Sequence, residues 1–329
     1  MAILKNIILK TELILHKNTF YTPIKAMNIT FGIDANFSRP MGVTMTSILL
    51  NHPNETIIFH VFTDGIDIED KQRLQELVNK FPVAIKLYYI DISAFTKLHS
   101  TLQWSIATYY RFIMGQALYG EVETILYLDA DIVCLGSLKE LFSMNLQGKT
   151  IAAAADVIDP YNFPIRMKKI NITSGRYFNA GVLYIDIRQW HDNDISERAL
   201  QELMKHPEKY DYLDQDVLNV LLENDVQFID KTYNYLYNME KETGSIPSNV
   251  KLLHYATRQK PWHLWCVHPL TKYFDQYAAQ SPWKNVLSIS QPRNYKEMKM
   301  LAKMMWKNGC LKESVYWYYC YCKEKLLMR

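Results

Sequence analysis

Four apolar runs separated by helical stretches constrain this chain more than any other feature. Residues 27–34, 56–62, 83–90 and 124–129 are short and rich in Ile, Val, Phe and Tyr, as buried strands are. Between the first two, Pro40 suits the start of a helix running through Met45 to Leu50. Residues 69–81 are amphipathic, with Leu74, Leu77 and Val78 on one face, and a third helix is expected around 109–118. This alternation predicts a doubly wound sheet with helices against both faces. The second half is less regular. Residues 151–156 form a strand whose small side chains let a neighbour approach closely, 177–186 a second strand, and 251–255 a late short one. There is no internal repeat and no low-complexity linker. The expected layout is an N-terminal extension over 1–26, one α/β domain over 27–287 and a tail over 288–329.

The fourth run reads Thr-Ile-Leu-Tyr-Leu-Asp-Ala-Asp and ends in Asp129 and Asp131. Side chains alternate along a strand, so carboxylates at i and i+2 point the same way. Two like charges delivered to one spot need a cation there. The C-terminal end of a strand in an open α/β sheet is also where ligands bind. The pair therefore reads as a metal site for a phosphorylated ligand. The spacing alone is weak, since chance gives it roughly once in an ordinary chain of this length. It recurs at Asp192 and Asp194 and at Asp214 and Asp216. The former reads as a turn and N-cap before the helical run 195–203. The latter opens the apolar-periodic run 217–222, where acidic capping and a site role are both open.

Composition narrows the chemistry. With 329 residues, 49% hydrophobic and 22% charged, the chain can bury a large core. Its 11 glycines include neither G-x-G-x-x-G nor G-x-x-x-x-G-K-[ST], so no glycine cradle for phosphate is signalled. A carboxylate-held divalent ion would have to offset phosphate charge instead. The five cysteines are odd in number and scattered, which fits a reduced, cytoplasmic setting. No run is long and apolar enough to span a membrane, and Lys5 and Lys10 interrupt the N-terminus, so no signal peptide is expected.

Charge is unevenly placed. From Gln291 onward nine basic residues stand against three acidic ones, +6 within a whole-chain +3, which leaves the rest at −3. Lys296, Lys299, Lys303 and Lys307 share one helical face, and Met298, Leu301, Ala302 and Met305 occupy much of the other. With Trp306 and the aromatic run 316–319, this suits an interfacial helix on an anionic bilayer. The plainer reading is a solvated basic face packed on the catalytic domain. The catalytic part is slightly acidic and carries no nucleic-acid motif, so no nucleic-acid partner is expected.

Six segments in order resemble glycosyltransferase family 8, the retaining nucleotide-sugar transferases that include lipopolysaccharide core enzymes. They are Phe31-Gly-Ile-Asp-Ala-Asn-Phe37, Thr108-Tyr-Tyr-Arg111, Leu126-Tyr-Leu-Asp-Ala-Asp131, Tyr177-Phe-Asn-Ala-Gly-Val182, Asp214-Gln-Asp216, and His254-Tyr255 with Lys260-Pro-Trp262. The resemblance implies a nucleotide-sugar transferase A-type, Rossmann-like mixed sheet flanked by helices, with the basic helical tail appended. It implies Asp129, Asp131 and His254 as metal ligands. Two hard oxygens and an imidazole suit Mn²⁺, with Mg²⁺ as the alternative. Taken alone, His254 reads as a packed core histidine; its place beside Lys260-Pro-Trp262 makes it a ligand.

By the same resemblance Gly32, Asp34 and Asn36 hold the uridine and ribose, and Ala130 lies between the metal carboxylates at the donor. Arg111 faces donor sugar and phosphate, against a plain reading as a helix-surface arginine. Asn179, Ala180, Asp214 and Gln215 line the hexose pocket, Asp156 faces sugar or acceptor, and Lys260 sits by the diphosphate. The family usually has a glycine where this chain has Thr257, and Arg258 adds a charge nearby. The implied reaction moves glucose or galactose from a UDP-sugar to a saccharide hydroxyl, with Gln215, Asp214 and Lys260 as the catalytic set. The implied acceptor is an oligosaccharide or lipopolysaccharide core, and the place the cytoplasmic face of the inner membrane. A nucleotide-sugar-binding protein without turnover is the rival reading.

Overall fold

The computed structural model describes residues 4, 6–17, 21–96, 98, 105–157, 161–239, 244–263, 265–266, 268–286, 292, 294–307 and 309–327. The apolar runs form strands as their patterns dictate: β1 (Ile8–Leu15), β2 (Met27–Ile33), β3 (Ile57–Thr63), β4 (Ala84–Ile90), β5 (Thr124–Leu128), β6 (Ile132–Cys134), β7 (Ile151–Ala155), β8 (Phe178–Asp186), β9 (Val226–Ile229), β10 (Tyr235–Leu236) and β11 (Leu252–His254). Eight of them build one sheet in the order β1-β4-β3-β2-β5-β8-β7-β9. Its centre, β4-β3-β2-β5, is parallel, while β1 and β8 run antiparallel to their neighbours, so the sheet is mixed.

Both faces are covered, as continuous burial along β2 and β3 requires. On one side Met41 and Met45 of the helix Ser38–Asn51 and Leu74 and Leu77 of the helix Ile68–Lys80 pack on the strands. On the other lie Ile113 of the helix Arg111–Leu118, Leu200 of the helix Ile195–Lys205 and Val217 of the helix Leu213–Leu221. The chain before β2, expected as an extension, contributes β1 as an edge strand on β4.

A second sheet, β10-β11-β6, sets up the site. Antiparallel pairing of β11 with β6 puts His254 opposite Ile132, so the histidine arrives beside Asp131. The helix Thr271–Ala278 and Trp283 belong to the same body. Tyr277 accepts a hydrogen bond from Asn51 (3.0 Å), and the buried Trp283 indole donates to Asp70 (2.7 Å). Beyond them, the helices Tyr295–Lys307 and Leu311–Leu327 pack on each other, with the Ser314 hydroxyl donating to the Ala302 carbonyl at 2.8 Å. The expected boundary at 287/288 and the basic residues Arg293 and Arg329 lie outside the described residues. No helix among the described residues is long and apolar enough to cross a membrane.

Candidate active site

Strand β5 stops at Leu128, so Asp129 and Asp131 lie in the turn between β5 and β6 and not on the strand itself. Each is pinned to a different sheet. The Asp129 amide donates to Gly181 O of β8 (2.8 Å), and the Asp131 carbonyl accepts from the Tyr255 amide just past β11 (3.0 Å). Thr44 of the helix Ser38–Asn51 clamps the turn by donating to Ala130 O (3.1 Å) and Ile132 O (2.6 Å).

Ligand atoms of Asp129, Asp131 and His254 lie within 4.8 Å of one another. His254 Nε2 is 3.2 Å from Asp131 Oδ1 and 3.8 Å from Asp129 Oδ2. Asp131 Oδ1 is buried and has no hydrogen-bond partner. A buried carboxylate oxygen left without a donor is costly, and a divalent cation at this point would satisfy it. The donor set fits such an ion: two carboxylates and one imidazole. Burial pushes the Asp131 carboxyl up, but Lys260, followed by His254, outweighs it and holds the group well below the usual carboxylate range. The Lys260 ammonium donates to Asp131 Oδ2 (2.5 Å) and to Tyr255 O (2.6 Å).

Gly181 makes room for the cluster. A Cβ there would stand 2.7 Å from Asp129 Oδ2 and would collide with His254 Cε1. His254 Nδ1 lies 2.9 Å from Asn234 Oδ1, and Asn234 Nδ2 donates to Asn179 Oδ1 (2.9 Å). Gly181 stands in one of the quoted segments without a role of its own there, and Asn234 lies in none of them.

Arg111 is buried, not on a helix surface. It donates to Asp129 Oδ1 (3.0 Å) and Ala180 O (2.6 Å), pairs with Asp214 Oδ2 (3.0 Å) and lies over the Tyr127 ring. Its donors are thus committed to the protein, chiefly to the carboxylate it orients. Asp214 also accepts from Thr108 Oγ1 (2.6 Å), so both its oxygens are engaged, and burial raises its carboxyl above the usual range. Asp216 is buried against Arg166 (2.5 Å), the Tyr177 hydroxyl (2.7 Å) and the Tyr212 amide (2.8 Å). The D-x-D at 214 and 216, in the first turn of a helix, is therefore anchored by two arginines and is not a solvent-facing cap. At the remaining D-x-D, Asp194 does sit at a helix N-cap, but with φ of 52° and no side-chain capping bond.

Between these carboxylates Gln215 is held on four sides. Its Oε1 accepts from Asn179 Nδ2 (3.1 Å) and the Ala180 amide (3.0 Å), and its Nε2 donates to Asp156 Oδ2 (2.8 Å) and the Tyr177 hydroxyl (3.2 Å). Asp156, Asn179, Ala180 and Gln215 are thus joined in one hydrogen-bonded network.

The family model described as Glycosyl transferase family 8 matches residues 28–266, and that described as Glycosyl transferase family 8 C-terminal matches 268–325. The chain belongs to glycosyltransferase family 8. This glycosyltransferase is 36% identical over 311 residues to the lipopolysaccharide 1,3-galactosyltransferase of Salmonella typhimurium, with 91% of each chain covered. It is 33% identical over 288 residues to a lipopolysaccharide 1,2-glucosyltransferase of Escherichia coli, covering 83% of this chain and 82% of that one. Its fold is similar to that of the galactosyltransferase LgtC, solved in complex with donor and acceptor sugar analogs. The TM-score is 0.67 at 25% identity, over 82% of this chain and 99% of that one.

Within this family 8 enzyme, Gly32, Asp34 and Asn36 lie at the end of β2, where Asp34 Oδ1 caps the following turn by accepting from the Asn36 amide (3.0 Å). A Cβ at Gly32 would stand 3.0 Å from Tyr110 Cβ, so the glycine permits close packing there. Asp64 lies just past β3. Burial, with Asp34 nearby, raises its carboxyl above the usual range. Thr257 does not adopt the left-handed backbone that would favour glycine; its hydroxyl lies 3.5 Å from Gln259 O.

Proposed function

We propose that this enzyme moves glucose or galactose from a UDP-sugar to a saccharide hydroxyl of lipopolysaccharide core, retaining the anomeric configuration. Mn²⁺, or Mg²⁺ in its place, would be held by Asp129, Asp131 and His254. The observation that carries this reading is the convergence of those three groups on the buried, unpartnered Asp131 Oδ1, with Lys260 alongside. The relatives named as lipopolysaccharide galactosyl- and glucosyltransferases support the donor and acceptor classes.

The bound cation would supply Lewis-acid stabilisation of the diphosphate leaving group. Lys260 places an ammonium on the same edge of the site, where it offsets negative charge on departing UDP. Gly32, Asp34 and Asn36 form the uridine and ribose end, Ala130 and Thr257 border the diphosphate, and Arg111 acts on the donor by orienting Asp129. Retention by double displacement would need a free carboxylate against the sugar. Asp214 and Asp216 are fully engaged by arginines and hydroxyls, and Gln215 is a neutral amide fixed on four sides. This favours attack by the acceptor on the face UDP leaves, with the Gln215 carbonyl stabilising positive charge on the sugar.

The tail completes the proposal. Trp306, Val315, Tyr316, Tyr318 and Tyr319 are exposed together with Lys296, Lys303 and Lys307. This supports contact with anionic lipid at the cytoplasmic face of the inner membrane, where a lipid-borne acceptor is met.

The test is transfer from UDP-glucose and UDP-galactose to a truncated core oligosaccharide, with NMR of the new anomeric proton. An α-linked product from the α-linked donor is expected. A β-linked product, or a covalent glycosyl adduct trapped on Asp214 or Asp216, would contradict the mechanism.

A further inference from the structure

We infer that Asn234 is a positioning residue that fixes His254 in the tautomer a cation can use; the role rests on the metal reading above. Backbone amides decide the orientation, because an N–H can only donate. The Gly181 amide lies 3.0 Å from a side-chain atom of Asn179, which must be the oxygen. The Ala180 amide likewise identifies the Gln215 atom 3.0 Å away as its oxygen, and that oxygen takes Asn179 Nδ2 at 3.1 Å. Asn179 is therefore oriented from both ends.

The rest follows in sequence. Asn179 Oδ1 faces Asn234 at 2.9 Å, so the atom there is the Nδ2 donor. Asn234 Oδ1 is left pointing at His254 Nδ1, 2.9 Å away. An amide oxygen only accepts, so Nδ1 carries the proton, and in the neutral ring Nε2 presents a lone pair. That lone pair meets Asp131 Oδ1 at 3.2 Å and Asp129 Oδ2 at 3.8 Å, with no hydrogen bond to Asp131 Oδ1. Three acceptors converge with no donor between them, an arrangement that a bound cation satisfies. Without the Asn234 oxygen, the ring would gain by moving its proton to Nε2 and donating to Asp131 Oδ1. The site would then close on its own hydrogen bond. Asn234 selects between these two states.

The experiment uses the full-length, metal-free protein with ¹⁵N-labelled histidine, at a pH where the ring is neutral. His254 is assigned by loss of its signals in His254→Gln. Long-range ¹⁵N–¹H NMR reads the tautomer, and calorimetry with Mn²⁺ alone reads affinity. Wild type should carry its proton on Nδ1. Asn234→Leu should move it to Nε2 and weaken Mn²⁺ binding about ten- to a hundredfold. Asn234→Asp, which keeps an acceptor, should retain the Nδ1 proton and bind Mn²⁺ at least as well as wild type. A wild-type proton on Nε2 would overturn the inference, and so would an unchanged tautomer and affinity in Asn234→Leu. Equal loss in Asn234→Asp and Asn234→Leu would reduce Asn234 to a packing residue and overturn it as well. A wild-type ring protonated on Nδ1 that takes up no cation would sink the metal reading and the role with it, so the two failures are distinguishable.

Discussion

At the scale of single residues, the site depends on what is absent at Gly181 and on what is buried at Arg111. Adding one methyl in Gly181→Ala places it against His254 and Asp129 while the Gly181 amide and carbonyl keep their hydrogen-bonding groups. Divalent-cation affinity should fall by at least about tenfold, as displaced ligands and their supports typically require, while the unfolding midpoint stays near wild type. Unchanged Mn²⁺ binding in calorimetry would contradict the geometry. Arg111 is different in kind. Its guanidinium lies between Asp129 and Asp214, and truncation leaves two carboxylates without their partner. Breaking a buried pair in this way costs about 3–5 kcal/mol, so urea unfolding of Arg111→Ala should show a large loss of stability as well as of activity. A variant as stable as wild type would show that these carboxylates are better solvated than the distances imply. Of this machinery, the sequence makes the carboxylates legible, since i, i+2 spacing has a geometric meaning. Gly181 and Asn234 are not legible, because their meaning comes from neighbours 20 or more positions away.

At the scale of elements, three central strands are joined by a buried polar rung. Asn28 Oδ1 on β2 accepts from His60 Nε2 on β3 (3.0 Å), and the Tyr88 hydroxyl on β4 donates to His60 Nδ1 (3.0 Å). Burial, aided by Lys86, pushes the His60 imidazole down to about 3. The unfolded chain binds this proton below the ordinary histidine value near 6.5, while the folded chain refuses it until about 3. Between those values the unfolded state holds more protons, so this group makes stability fall as pH drops, by up to about 1.4 kcal/mol per unit. Thermal unfolding of His60→Gln against wild type, from pH 7 to pH 4.5, should show a flatter pH dependence in the variant. Parallel curves would place the titration elsewhere. The strands that carry this rung are legible as long apolar runs. β6, β9 and β10 are two to four residues long, too short for a period to register; β11 is legible only as a short apolar run, and β1 is exposed at five of its eight residues, at an edge. Their pairing was invisible locally, although the β11–β6 pair is what brings His254 to Asp131.

At the scale of the whole molecule, the catalytic body and the tail have opposite electrostatic characters. The body is slightly acidic, whereas the tail presents lysines beside exposed aromatic rings, a composition suited to anionic interfaces. Full-length protein should float with vesicles containing anionic lipid and not with zwitterionic ones, and Lys303→Glu with Lys307→Glu should abolish flotation while leaving donor turnover in solution intact. Equal flotation of the double variant would contradict a role for this face. The α/β architecture and the order of its motifs were readable along the chain; the packing of 268–286 onto the catalytic body was not, because it rests on Trp283 reaching Asp70 across more than 200 residues. The proposed cation at Asp129, Asp131 and His254 would activate a UDP-hexose. The most direct measurement is UDP release by the purified enzyme from a panel of UDP-sugars, with Mn²⁺ and with chelator, for wild type and Asp131→Asn. Release from UDP-glucose or UDP-galactose that stops with chelator and in the variant is the predicted result; release that persists with chelator, or in Asp131→Asn, would contradict it.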